Sequence, residues 1–119
     1  MAYTFEELED KVLDWGHEKG ILSSSTALKQ IEKTLEELIE TRDALVELNV
    51  LDKLGLPNDH PVRKEAEFKV VDGIGDMKVT IILLAELKKL DCVECLDVAY
   101  EEIKGRTGNM VDGIFVKDE

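Results

Sequence analysis

The sequence predicts an all-α, four-helix-bundle-type fold completed by oligomerisation, and three observations lead there. Apolar residues recur at helical spacing through Phe5, Leu8, Val12 and Trp15, and again from Leu28 to Val46. The run Val79-Thr80-Ile81-Ile82-Leu83-Leu84-Ala85 is too apolar for an exposed helix, so a chain this short cannot easily cover it alone. Aromatic residues make up only 5% of the chain, which favours aliphatic helix packing. A length of 119 residues suits a single domain, 1–119, and a hydrophobic content of 44% is enough for a core.

The elements follow in order. Thr4 can N-cap a first helix that runs through Trp15 and stops near Gly20. Ser23-Ser24-Ser25 breaks the pattern, and a long second helix is expected from about Ser25 to Leu48 or slightly beyond, with Leu28, Ile31, Leu35, Leu38, Ile39, Leu45 and Val46 as its core stripe. Gly55 to Pro61 reads as a loop, because neither Pro57 nor Pro61 suits a helix interior. A third helix is expected to start between Val62 and Asp72 and reach about Leu90, and a fourth covers Val93 to Lys104. The glycine-rich tail reads as irregular or shortly extended.

The net charge of −12 argues against binding a nucleic-acid polymer, which needs a basic surface. Free nucleotides differ, because carboxylate-bound cations can receive their phosphates. The acidic N-terminus carries no visible signal, and the apolar run falls far short of the roughly 20 residues of a membrane span, so a cytoplasmic location is expected. Cys92 and Cys95 form a Cys-x-x-Cys, but two thiols cannot close a zinc site alone, and they read better as part of a buried helical stripe.

Two acidic clusters carry the functional argument. Glu36, Glu37 and Glu40 are neighbours on one helix and repel one another, which a hard divalent cation would relieve. With 27 acidic residues in the chain, an ordinary solvated face along Glu32, Glu36, Glu40, Asp43 and Glu47 is the competing explanation. Asp72 and Asp76 stand one turn apart and share a stripe with Val79 and Leu83, so they are expected to point inward toward a metal; the plainer reading makes Asp72 an N-cap with Asp76 in the first turn.

Helix 1 with Trp15 and His17, the Lys-x-x-Glu-Glu-x-x-Glu helix from Lys33 to Glu40, Asp72-Gly73-Ile74-Gly75-Asp76, and the tail Ala99 to Gly108 through Val111 to Lys117 together resemble the single-domain MazG-like nucleotide pyrophosphohydrolases of bacteria and phages. Two departures stand out: Gly73 occupies a position where that group usually has glutamate, and the gap from Thr41 to Val71 is long. The resemblance implies a homodimer or homotetramer that hydrolyses a nucleoside triphosphate between its α and β phosphates. Magnesium suits the carboxylate ligands, with manganese also possible. Glu37, Glu40, Asp72 and Asp76 are the candidate metal ligands, and Glu36 and Glu37 the candidate catalytic residues. Lys33, Lys104 and Arg106 are candidates for holding phosphate, and Trp15 for stacking on a base, although Trp15 could equally be core and His17 plain surface. Two alternatives are a noncatalytic acidic helical interaction module and a phosphoribosyl-ATP pyrophosphohydrolase.

Overall fold

The computed structural model describes residues 2–119, which divide into two compact units, one ending at Lys89 and the other running Leu90–Glu119. The chain is mostly helical, as expected, with five helices and one two-stranded sheet among the described residues.

In the first unit, α1 spans Phe5–Glu18. Thr4 and Glu7 form a reciprocal capping box at its start, satisfying two backbone N–H groups that the helix cannot. Gly20, at φ 76°, reverses the chain into α2, Ile21–Ser24, a short helix the serine run had concealed. The hydroxyls of Ser23 and Ser24 donate to the Gly20 carbonyl at 3.1 and 2.6 Å, so serines that read as breakers instead tie down a turn.

Helix α3, Ala27–Lys53, starts at the Thr26 N-cap and outruns the expected end by a full turn before Gly55. Helix α4, Pro61–Leu87, begins earlier than expected. Pro61 takes the first helical position, where a missing N–H is no loss, and His60 Nδ1 accepts from Val62 N at 3.2 Å. Asp72 and Asp76 therefore lie in mid-helix, which overturns the reading of Asp72 as an N-cap.

The two long helices form an antiparallel pair. Asp52 meets Arg63 at 2.5 Å, Thr41 lies against Gly73, and Thr34 meets Thr80 at 2.7 Å, one index rising as the other falls. The seam itself corrects the sequence reading. On α3 the buried residues are Glu37, Thr41, Ala44 and Leu51 rather than the apolar stripe, whose Leu28 and Leu35 are 68% and 55% exposed. On α4, Ala66, Gly73 and Thr80 are buried at seven-residue intervals, a small-residue line that lets the backbones approach closely. A Cβ on Gly73 would overlap the Thr41 hydroxyl oxygen. Helix α1 packs on α4 in the same way, Gly16 lying so near Leu83 that a Cβ there would sit 2.6 Å from Leu83 Cδ2.

The second unit consists of α5, Cys92–Ile103, capped by Asp91, and an antiparallel hairpin of β1, Gly108–Val111, and β2, Ile114–Lys117. Positive φ at both Asp112 and Gly113, 50° and 81°, matches the two-residue turn that Asp-Gly favours, so the tail is more regular than expected. Among the described residues, no helix is long and apolar enough to cross a membrane.

Candidate functional site

Glu37 is the centre of the site because it is the acidic residue buried in the α3–α4 seam. Thr41, one turn on, donates to the Glu37 carbonyl at 2.7 Å, which keeps its hydroxyl satisfied inside the contact. Burial pushes the Glu37 carboxyl above its usual pKa, and the nearby charges of Asp76 and Glu40 push the same way. Lys33 opposes them from one turn earlier, its ammonium 3.7 Å from Glu37 Oε1 and 3.1 Å from Glu36 Oε1. The hydrogen bond to Glu36, followed by the attraction of its charge, raises the Lys33 pKa, so this exposed ammonium stays protonated.

Two openings share Glu37 as a wall. The first is a cleft of about 360 Å³ lined by Glu37, Glu40, Asp43, Glu47, Lys69 and Asp72, with Ala44 and Gly73 at its floor. The second is a cavity of about 470 Å³ where Glu37, Asp76, Lys33 and Thr80 face Trp15, Ile21 and Leu83. Trp15 and Asp76 also bound a smaller adjoining hollow with Leu8 and Val12. The acidic groove and the aromatic cavity are thus contiguous at one carboxylate.

The predicted residues divide accordingly. Glu37, Glu40, Asp72 and Asp76 come together from two helices, and Lys33 and Trp15 join Glu37 and Asp76 in the second opening. Asp76 is half-buried, but Asp72 is exposed, so the expectation that both aspartates point inward is corrected for Asp72. Its position on α4 is one residue off the buried Gly73 line, which turns it toward the cleft mouth. Glu36 lies at the rim, 57% exposed and paired with Lys33, and lines neither opening. His17 is exposed. Lys104 and Arg106 belong to the second unit, where Lys104 pairs with Glu101 at 2.5 Å.

Sequence reasoning missed Gln30, Lys69 and Thr80 among the lining residues. The signal was available: Lys69, Asp72 and Asp76 recur at three and four residues on α4, as do Gln30, Lys33 and Glu37 on α3. Asp43 and Glu47 had read as part of a solvated face; they face the cleft.

Among the described residues, no three His, Cys, Asp or Glu side chains gather into a ready-made metal cage. Magnesium does not require one, since it keeps several waters and is commonly held by one or two carboxylates plus substrate phosphates. The donor set fits it: hard oxygen ligands only, around a carboxylate whose charge is disfavoured by burial and by its acidic neighbours.

Fold and site together define a mostly helical protein with an acidic groove between two antiparallel helices, opening beside an aromatic cavity. No family model, curated protein or solved structure matches the chain, so its own residues carry the functional argument.

Proposed function

We propose that this chain is a magnesium-dependent, MazG-like nucleoside triphosphate pyrophosphohydrolase that converts a (deoxy)nucleoside triphosphate and water to the monophosphate and pyrophosphate. The observation that carries the proposal is the meeting of Glu37, Glu40 and Asp72 in one cleft, continuous through Glu37 with a cavity holding Asp76 and Trp15. A groove of carboxylates alone repels phosphate, whereas a groove of carboxylates that holds a cation attracts it.

Magnesium, or manganese, would be held by one or two carboxylates drawn from Glu37, Glu40, Asp72 and Asp76 together with substrate phosphate, and would supply charge neutralisation and an acidified water. The protein's own groups do the rest. Glu37, at the junction of the cleft and the cavity, can accept the proton as water oxygen bonds to the α-phosphorus and the α–β bridging bond breaks. Glu36, outside both openings, holds the Lys33 ammonium, and Lys33 balances phosphate charge. In the same proposal Trp15, 44% exposed, offers a stacking face to the base.

The uncovered apolar stripe on α3 supports a homodimer or homotetramer as the working form. That stripe also favours the second reading, a noncatalytic helical module whose apolar face docks a partner. A pyrophosphate-release screen over canonical, deoxy and modified triphosphates, with and without magnesium, separates the two. Magnesium-dependent release is expected, and its absence with every triphosphate leaves the interaction module as the better account.

A further inference from the structure

The aromatic cavity is graded along the helix pair. On α3, Gln30, Lys33 and Glu37 follow at successive turns, and on α4 Leu83, Thr80 and Asp76 run beside them in the opposite chain direction. Glu37 and Asp76 therefore mark the charged end. Gln30 and Leu83 lie two helical turns away, about 10 Å along the axis, which is the length of one nucleoside.

The polar groups at that far end are not equally free. The Thr80 hydroxyl is engaged with the Met77 carbonyl at 2.9 Å and the Thr34 hydroxyl at 2.7 Å, and Thr34 also reaches the Gln30 carbonyl at 2.9 Å. Gln30 differs. Its side-chain Nε2 donates to Ser25 Oγ at 3.0 Å, a part-buried bond that fixes the plane of the amide. Oε1 and the second Nε2 hydrogen have no partner among the described residues, leaving an acceptor and a donor on a held amide.

We propose that Gln30 reads the edge of a nucleobase stacked on Trp15, with the phosphates directed toward Glu37. This rests on the nucleotide reading given above. Uracil, thymine and guanine each present a ring N–H beside a carbonyl oxygen, an edge that an amide oxygen and amide N–H can pair with. The amide rejects a base whose ring N–H has been methylated, because the amide oxygen then faces a methyl group.

Trp15 is the only tryptophan, so its fluorescence reports this cavity directly. Uridine and guanosine monophosphates are titrated against N3-methyluridine and N1-methylguanosine monophosphates, with magnesium, on the wild type and on Gln30→Leu. Pyrophosphate binding is followed in parallel by calorimetry. In the wild type, the parent nucleotide should bind about tenfold or more tightly than its methylated form, the effect of about 1.4 kcal/mol. Gln30→Leu should erase that ratio and leave pyrophosphate affinity unchanged. Because the methylated ligands test the unaltered protein, a folding defect in the variant cannot decide the matter. Equal affinity for parent and methylated nucleotides in a wild type that releases pyrophosphate would overturn the role of Gln30 alone. No nucleotide binding and no pyrophosphate release would overturn both it and the enzyme reading.

Discussion

The two long faces of α3 contrast. The face turned to α4 is built from Thr34, Glu37, Thr41 and Ala44, while the face rich in leucine, isoleucine and valine is uncovered in the single chain. Burial of aliphatic surface is ordinarily the dominant driving force, at about 25 cal/mol per Å², so this partition is unusual for a chain acting alone. The small seam instead brings two backbones close enough for carboxylates on both helices to share one groove. Geometry for a site is won on one face, and the apolar area for stability is left to another surface to cover.

The largest test strikes the seam's chemistry. Glu37→Gln keeps the shape of the buried side chain but removes its charge and its ability to take a proton, so turnover should fall by roughly 10²–10⁴-fold. Asp76→Asn should fall comparably, and circular dichroism should report an intact helical fold in both. Near-normal pyrophosphate release by both variants would make the groove incidental and favour the interaction module.

Packing of the seam can be tested at Gly73. Alanine is the better helix former by up to about 1 kcal/mol, so on an open helix Gly73→Ala should stabilise. Here the added methyl meets Thr41, and overpacking of this kind costs roughly 1–3 kcal/mol. Urea denaturation should therefore show net destabilisation, and a stabilised variant would mean that the helices are not held at this spacing. A glutamate at position 73 would likewise have no room beside Thr41.

The opposite face calls for a different experiment. Leu38→Lys, at a position 51% exposed, should leave monomer stability within about 0.5 kcal/mol, as surface changes usually do. If the stripe is an interface between copies, light scattering should show a smaller species for the variant than for the wild type. Equal masses would remove this stripe from the assembly.

Much of this contrast was legible in the sequence, but not which face was which. Thr4 and Gly20 marked the ends of α1 because capping and left-handed backbone are local properties. The acidic clusters around Glu37 and around Asp76 were each legible because carboxylate spacing within one helix is local too. The seam was not: periodicity finds apolar stripes, and here the stripe is not what the partner helix covers. Gly73 looked like a weak helix position and a missing ligand, and only its contact with Thr41 reveals a packing role. The hairpin was missed although Asp112-Gly113 is a strong turn signal, since its flanks are only four residues each.

The smallest effect expected is a pH dependence that separates Glu37 from the exposed carboxylates. Its folded pKa is raised above the ordinary 4.5, mainly by burial and then by Asp76 and Glu40. Between that ordinary value and the raised one, the folded protein holds more protons than the unfolded chain, so this residue makes stability fall as pH rises. Below the window both states are protonated and the contribution vanishes; above it both are ionised and the penalty is constant. Metal-free Glu37→Gln should therefore gain stability relative to wild type as pH climbs through the window, and hold that gain at neutral pH. Magnesium should reverse the order at neutral pH, because a ligand that binds only the folded state stabilises the protein able to hold it. Thermal melts of both proteins across this range, with chelator and with magnesium, measure the effect. Parallel curves in chelator would show that Glu37 titrates like a surface carboxylate, and the buried-charge account of the groove would fall.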